Sequence, residues 1–267
     1  MILRNPREGM HGIASENIFE AVEPRSGSVV GRCVVSEEVR PLMFPDRPYQ
    51  VRLDFEGDDE TLDTLLGASL ARARALCSAQ KESARIYAGC DPEDAELLDT
   101  LRQYGFRDND GLMRMRVRLP RYIDAKQPMG CVVVHDRLED AQEQRYFLER
   151  YNELYGADMD MAWLNSLIKR EGFCRILTVA PTGMAGEVLV WQENGCGVVE
   201  FFNTARRWRG MGVASYMMAL ACRFLNEKGC REAVSDVRAR MPIARHVLEK
   251  SGFQPDTLIM RYPGNHV

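Results

Sequence analysis

One short segment, residues 202–215, combines residue types that together could bind a charged ligand. An apolar stretch runs into a turn with glycines at 210 and 212, and a helical pattern follows. Such a turn exposes backbone N–H groups at the beginning of a helix, and these donors add to the helix dipole to form an anion site, usually for phosphate. The glycines allow a close approach to the backbone, and arginines at 206, 207 and 209 add positive charge. The segment predicts a phosphate-bearing ligand, with a tight turn and a solvated basic rim as the alternative.

Two common phosphate motifs do not fit this segment. No Lys followed by Ser or Thr completes a P-loop, and the third glycine of the dinucleotide fingerprint is missing. The nature of the ligand therefore depends on the elements that surround the turn.

The second half of the chain predicts strands and helices in alternation around this turn, because strand-type apolar runs are separated by apolar residues at helical spacing. The predicted strands are Cys131–His135, Cys174–Ala180, Glu187–Gln192, Val198–Asn203, Glu232–Val237 and Thr257–Tyr262. Helices are predicted at about residues 147–155, 162–169, 213–225 and 242–251.

The first half repeats this order at an offset of 147 residues, which places Phe106 against Phe253 and Arg114 against Arg261. A strand–helix–strand–helix–strand order in both halves is an α/β pattern. We predict two domains, residues 1–122 and 123–267, joined near residues 120–130. The predicted strands of the first half are Ile18–Val22, Val29–Val39, Val51–Phe55, Ala84–Ala88 and Leu112–Leu119.

The turn resembles the acetyl-CoA signature of the GNAT superfamily of N-acyltransferases, R/Q-x-x-G-x-G/A, which stands here as Arg209-Gly210-Met211-Gly212-Val213-Ala214. The aromatic Trp208 and the ending Val247-Leu248-Glu249-Lys250-Ser251-Gly252-Phe253 also match the pattern of that family. The resemblance covers about residues 130–263 and extends weakly, through the repeat, to residues 16–119. The whole chain resembles a tandem GNAT protein.

The resemblance implies an α/β (α+β) fold of two tandem GNAT-like domains, each with a mixed central sheet flanked by helices. The first domain would be degenerate, lacking the opening strand and helices. The implied activity is transfer of an acyl group, acetyl in the first place, from acyl-CoA to a primary amine by direct attack, with acetyl-CoA as cosubstrate. The residues that the resemblance assigns to acetyl-CoA are Asn203, Thr204, Arg209, Gly210, Met211, Gly212, Val213, Ala214 and Ser215.

The base that would accept a proton from the attacking amine is less clear. Glu200 lies on the strand that leads into the turn and is the candidate, since the amine must lose a proton before or during attack. The alternative is that Glu200 only faces solvent. His246 on the last predicted helix and Tyr262 on the last predicted strand are further titratable candidates.

Two positions depart from the family pattern. Met241 stands where the family often has Asn, and Leu248 stands where it often has a Tyr that protonates the leaving thiolate. Leu cannot donate a proton, so a second hypothesis remains open: a catalytically weak CoA-binding regulatory or partner protein. A third hypothesis is an interaction module without a ligand.

The first half lacks the features of the turn. The equivalent stretch, Glu56–Glu60, has four carboxylates in five residues, and these would repel a pyrophosphate. The alternative interpretation is an acidic helix N-terminus stabilised by the dipole. Both interpretations predict that CoA does not bind to the first domain.

The acceptor region implied by the family follows the first strand of the second half and includes Glu153, Tyr155, Asp158, Asp160 and Trp163. Carboxylates beside aromatic rings would suit a cationic amine, on a small molecule or on a protein or peptide. A solvated loop explains the same residues equally well. Neither the acceptor nor the oligomeric state follows from these residues.

Composition excludes several other classes of function. The 267 residues carry a formal net charge of −4, which gives no electrostatic case for nucleic acid or an anionic membrane. Eight scattered cysteines without a C-x-x-C pair indicate reduced thiols, and four histidines without ligand spacing predict no metal site. Without an apolar stretch near the N-terminus we expect no signal peptide and a cytoplasmic protein.

Overall fold

The computed structural model describes residues 1–57, 59–155 and 157–267, with the side chain of Asp59 left out of the description. The chain forms two compact units. The first contains Met1–Leu112, Leu258–Val267 and a short piece at residues 154–155, and the second contains Met113–Glu153 and Ala157–Thr257.

Each unit is built on one β-sheet. The strands are β1 Ile2–Arg4, β2 Ile18–Val22, β3 Val29–Val39, β4 Tyr49–Gly57, β5 Ala84–Ala88, β6 Gly111–Arg118, β7 Val132–Asp136, β8 Cys174–Ala180, β9 Gly183–Glu193, β10 Cys196–Thr204, β11 Glu232–Arg238, β12 Gln254–Arg261 and β13 Gly264–His266. The helices are α1 Asp59–Ser78, α2 Ala95–Gln103, α3 Ala141–Tyr155, α4 Met161–Ile168, α5 Val213–Glu227 and α6 Pro242–Lys250.

The sheet of the first unit has the order β1-β2-β3-β4-β5-β13. Neighbouring strands are antiparallel except β4 and β5, which run parallel from Tyr49 to Leu53. One face of this sheet is apolar because alternate residues of β3, β4 and β5 are buried against Leu65, Leu66 and Leu70 of α1. This packing forms the hydrophobic core of the unit.

The last strand of the chain belongs to this first sheet. Gly264 of β13 pairs with Tyr87 of β5, so β13 forms an edge of the sheet. Arg85 of β5 is fully buried, and its guanidinium donates a hydrogen bond to the carbonyl of Tyr262 at 2.6 Å. A Cβ atom on Gly264 would lie 2.5 Å from Nε of Arg85. Glycine is therefore required at this position by the close approach of the buried arginine.

The sheet of the second unit has the order β12-β6-β11-β10-β9-β8-β7. On one face α5 packs with Met217 and Ala221 against a core that includes Val190 of β9 and Val199 of β10. On the other face Phe147 of α3 packs against β10. Helices on both faces bury the central strands, as the near-continuous apolar runs of β8 and β9 indicate.

The α/β class, the two mixed sheets and the order of the elements confirm the predicted fold. One detail was wrong, because the three-residue strand β1 occupies the first edge, where no opening strand was expected. The domain ranges 1–122 and 123–267 stay a prediction about the repeat. The compact units do not coincide with those ranges. Most of β6 lies in the second unit, whereas β13 lies in the first.

In the described part of the chain, no helix is long and apolar enough to cross a membrane.

Candidate active site

The glycine turn joins β10 to α5 and contains a short 3₁₀ turn, Arg206–Trp208. Gly210 and Gly212 have φ angles of 78° and 80°, a left-handed conformation that favours glycine. Apart from the glycine itself and its two chain neighbours, no described residue has an atom within 4 Å of the Cβ that either glycine would carry. The glycines thus permit the left-handed backbone of the turn, and the space where their side chains would lie is open.

The beginning of α5 offers backbone donors without protein acceptors. Gly212 is the N-cap and has no capping side chain, and the first backbone bond of the helix runs from the N–H of Tyr216 to the carbonyl of Gly212 at 3.0 Å. Within the residues that the structure describes, the N–H groups at positions 210, 212, 213, 214 and 215 donate to no protein atom. Free donors and the positive end of the helix dipole are the features that an anion site requires.

The three arginines of the turn are exposed, and two of them are tied to nearby carbonyl groups. Arg209 donates through Nε to the carbonyl of Thr204 at 3.2 Å, and Arg207 donates to the carbonyl of Thr182. Asn203 and Thr204 are half-buried at the end of β10. The structure therefore brings all nine residues assigned to acetyl-CoA onto one continuous strand end, turn and helix beginning.

The two parallel strands beside the turn separate from each other. The register between β10 and β11 contains only Gly197 with Ala233 and Val198 with Val234. Beyond Val198 no further pair is formed between these strands in the described part of the chain. The separation leaves backbone groups of β10 facing a gap instead of a neighbouring strand.

Glu200 lies at a β-bulge in this gap. Val199 pairs with Val190 of β9, but Phe201 pairs with Leu189, so Glu200 is the extra residue of β10. Because neighbouring residues of β9 point to opposite faces, the bulge turns Val199 toward α5 and Phe201 toward α3. Glu200 alternates with Val199 and thus lies on the same face as Phe201.

Electrostatics shift the titration of Glu200. Desolvation by the surrounding protein atoms, followed by the negative charge of Asp236, raises the pKa of its carboxyl above the ordinary value, while Arg170 acts in the opposite direction. Asp236 itself accepts two hydrogen bonds from Arg114, both at 2.9 Å. Glu200 is nevertheless an exposed residue, as the alternative interpretation expected. A carboxylate whose pKa is raised is a stronger base than an ordinary glutamate.

The other titratable candidates lie on α6 and in the first unit. His246 is exposed on α6, and Tyr262 belongs to the first unit, where its ring contacts Tyr87 with a centroid distance of 5.8 Å. Leu248 is fully buried in the core of the second unit. Met241 is the N-cap of α6 and provides no capping side-chain bond.

Aromatic rings line the face that Glu200 and Phe201 share. Tyr151 of α3 lies 5.5 Å from Phe201 and 4.7 Å from Trp163 of α4, measured between ring centroids. Trp163 was among the predicted acceptor residues. Tyr151 and Phe201 were not, because the sequence pattern of each indicates a core residue of its own helix or strand. The clustering arises from tertiary packing and leaves no local signal.

The remaining predicted acceptor residues divide into two groups. Asp160 accepts a hydrogen bond from the N–H of Trp163 at 2.8 Å and is the N-cap of α4. Glu153 and Asp158 are exposed, and Tyr155 clusters with the first unit. Trp163 lies in the aromatic cluster, and Asp160 caps the helix that carries it.

A buried ionic network fixes α3 on the same face of the sheet. Glu187 of β9 is 0% exposed and accepts from Arg150 at 2.6 and 2.8 Å and from Arg175 at 3.0 Å. Arg175 also reaches Asp136 and Glu143, each at 3.2 Å. The signal was present in the sequence, because Arg175 and Glu187 are charged residues inside otherwise apolar strands.

Among the described residues, no group of three or more His, Cys, Asp or Glu is arranged to hold a metal ion. The acidic turn of the first half falls partly outside the described residues, since Asp58 and the side chain of Asp59 are not included. Glu56 of this turn and Asp94 line a small cavity at the beginning of α1.

Comparison with known proteins defines the class of the second unit. Residues 135–253 match the model of the acetyltransferase (GNAT) family. A comparison with curated protein sequences finds no significant match. The matched part of the chain is thus a GNAT acetyltransferase domain, and by class the protein is an acyltransferase, as the resemblance to the GNAT superfamily implied.

Solved structures share the fold over nearly the whole chain. A GCN5-related N-acetyltransferase from Sphaerobacter thermophilus has a TM-score of 0.55 at 16% identity, covering 96% of this chain and 82% of that chain. One from Anabaena variabilis has a TM-score of 0.55 at 12% identity, covering 95% and 63%. One from Kribbella flavida has a TM-score of 0.51 at 13% identity, covering 93% and 60%. The chain therefore folds as two GNAT-like domains.

Proposed function

We propose that the protein is an N-acetyltransferase that moves the acetyl group of acetyl-CoA to a primary amine. The observation that carries the proposal is the set of free backbone donors at the beginning of α5, which opens beside the gap between β10 and β11. A phosphate-binding turn next to a separated pair of strands suits a ligand with a diphosphate at one end and a reactive group at the other.

The residues present fit acetyl-CoA. No carboxylate occurs between Asn203 and Ser215, so the turn holds three arginines and no side chain that would repel a diphosphate. In the proposal the N–H groups from Gly210 to Ser215 bind the diphosphate, and Asn203 and Thr204 flank the pantetheine arm along the strand end. Acetyl-CoA would supply the acetyl group in activated form, as a thioester.

Glu200 is proposed as the group that accepts the proton of the amine. The amine nitrogen forms a bond to the carbonyl carbon, and the bond between that carbon and sulfur breaks. An acceptor that enters as an ammonium ion releases one proton through Glu200 to solvent, and CoA leaves as a thiol. Backbone N–H groups of β10 that face the gap are positioned to stabilise negative charge on the carbonyl oxygen.

The buried position of Leu248 favours a second candidate function. A leucine side chain at this position cannot protonate the leaving thiolate. A protein that binds acetyl-CoA for regulation and turns it over weakly would show the same residue. Ligand binding without release of thiol to any amine would support this candidate.

For the first domain we propose that it does not bind CoA. Glu56 and Asp94 place two carboxylates at the cavity where a diphosphate would have to lie. One equivalent of acetyl-CoA per chain is therefore expected in a binding titration.

The first test measures thermal stability with and without acetyl-CoA for the wild type and a Gly212→Asp variant. A ligand at about 100 times its dissociation constant adds about 2.7 kcal/mol to the folded state. We expect a clear upward shift that the variant loses, because a carboxylate at the N-cap would repel the diphosphate. Gly195→Asp is the matched control, since Gly195 also has an open site and a φ of 76°, in the hairpin between β9 and β10.

The second test measures release of free thiol from acetyl-CoA with a panel of amines. We expect release with at least one amine and a loss of kcat in Glu200→Gln. The absence of any stability shift in folded wild-type protein would refute acetyl-CoA binding. A shift without thiol release would replace the transferase with the regulatory candidate.

A further inference from the structure

We infer that the acceptor amine carries an aromatic ring, which packs against a wall of four side chains beside Glu200. The inference rests on the proposed function and specifies the class of its acceptor. The aromatic wall consists of Phe147, Tyr151, Trp163 and Phe201.

The bulge in β10 places the wall and the proposed base on one face. Phe201 directly follows Glu200, and the shift in register after Val199 turns both side chains toward α3. An amine held at Glu200 therefore has aromatic surface within the length of a short side chain. Short arylalkylamines are therefore the probes that test this placement.

Two rings of the wall are buried, and the other two are partly exposed. Phe147 and Phe201 are buried and meet edge to face at 5.7 Å, whereas Tyr151 and Trp163 are only half-buried. The accessible rings could cover one face of a planar group. Rings prefer offset or edge-on contacts with other rings, which gives an aromatic ligand an advantage over a saturated one of equal size.

The wall is preorganised by polar contacts around it. Asn152 bonds the backbone of Met159 twice, at 2.8 and 2.9 Å, and so ties the end of α3 to the segment before α4. Asp160 caps α4 immediately before Trp163. Arg150, next to Tyr151, is held by the buried Glu187. Rings fixed in this way lose little freedom when a ligand binds.

The charge around the wall favours a cation. Glu153, Asp158 and Asp160 are exposed carboxylates on the segment that carries it. Arg170 lies over the ring of Trp191 and pairs with Glu193 at 3.1 Å, so its charge is partly compensated. Negative potential attracts an ammonium ion, and the faces of the rings add to that attraction.

The test compares two amines that differ only in aromaticity, 2-phenylethylamine and 2-cyclohexylethylamine, with pentylamine as a reference. Thiol release by the full-length protein gives kcat/KM for each. We expect 2-phenylethylamine to exceed 2-cyclohexylethylamine by roughly 2- to 10-fold, the size of an aromatic pair contact. Equal or better use of the cyclohexyl amine overturns the inference.

Variants at the wall separate specificity from general damage. Trp163→Leu is expected to raise KM for 2-phenylethylamine several-fold more than it raises KM for pentylamine. Trp163→Phe should keep most of the preference, and Tyr146→Leu, an exposed position on α3, should have no effect on it. Equal losses for all three amines in Trp163→Leu would show a structural role and contradict the inference.

The outcomes also separate the two proposals. Thiol release with pentylamine but no advantage for the aromatic amine refutes the acceptor class alone. Release with none of the amines refutes the proposed function and this inference with it.

Discussion

Neutralising Glu187 tests whether the buried network holds α3 on the sheet. In Glu187→Gln the shape of the side chain is kept, but one acceptor oxygen and the negative charge are lost. Arg175, whose side chain is 4% exposed, then retains only the partly exposed Asp136 and Glu143 as counter-charges. Removing one partner from a buried ion pair costs about 3–5 kcal/mol, and the remaining carboxylates place the expected loss near the lower end, about 3 kcal/mol.

The chain provides its own reporter for this measurement. All three of its tryptophans, at positions 163, 191 and 208, lie in the second unit. Tryptophan fluorescence during urea unfolding therefore follows the unit that contains the network, whereas far-UV circular dichroism follows both units. With a slope of about 2 kcal/mol/M, a loss of about 3 kcal/mol lowers the fluorescence midpoint by about 1.5 M.

The control is Glu249→Gln on α6. Glu249 pairs with Arg245 at 2.8 Å, but both side chains are exposed, so its loss is expected to cost less than about 1 kcal/mol. A midpoint shift in Glu187→Gln no larger than that of the control would refute the reasoning. It would mean that the desolvation cost of the network cancels its attraction.

Three further outcomes are expected. Because folding raises the pKa of Glu200, the folded state binds more protons than the unfolded state between the ordinary and the raised value, so stability falls as pH rises through that window. In pH-dependent urea unfolding, the difference in stability between the wild type and Glu200→Gln should show this slope, and a difference that rises with pH through the window would contradict it. Gly264→Val should destabilise the first unit by about 1–3 kcal/mol in thermal melts because its side chain would meet Arg85, whereas Gly67→Ala, exposed in α1, should stabilise it by about 0.5–1 kcal/mol. Thiol titration of the native protein should modify Cys196 first, since the other seven cysteines are buried; fast reaction of several thiols would contradict the described core.

The glycine turn could be predicted because its signal is local. The glycines with left-handed backbone angles, the helix N-terminus without a capping side chain and the preceding strand all depend on the residues that form them. The same holds for β2, β3, β5 and β8, whose predicted bounds coincide with those observed. Short-range periodicity determines such elements almost completely.

The features that escaped prediction depend on distant residues. The bulge at Glu200 arises from the register between β10 and β9, and alternation along β10 alone does not reveal it. The contacts of Glu187 with Arg150 and Arg175 join three elements. The first edge strand, β1, is too short at three residues to show any periodicity.

The position of β13 has a consequence for the synthesis of the protein. The ribosome completes β5 at Ala88 but does not reach Gly264 for another 264 − 88 = 176 residues. At about 5–20 residues per second, the edge of β5 stays without its final partner for roughly 10–40 s. An open strand edge is a template for pairing with other chains, so this interval is when the nascent protein is most exposed to aggregation. A gene divided between the two halves would leave the first fragment with that edge open permanently, because the strand that closes it is encoded at the opposite end.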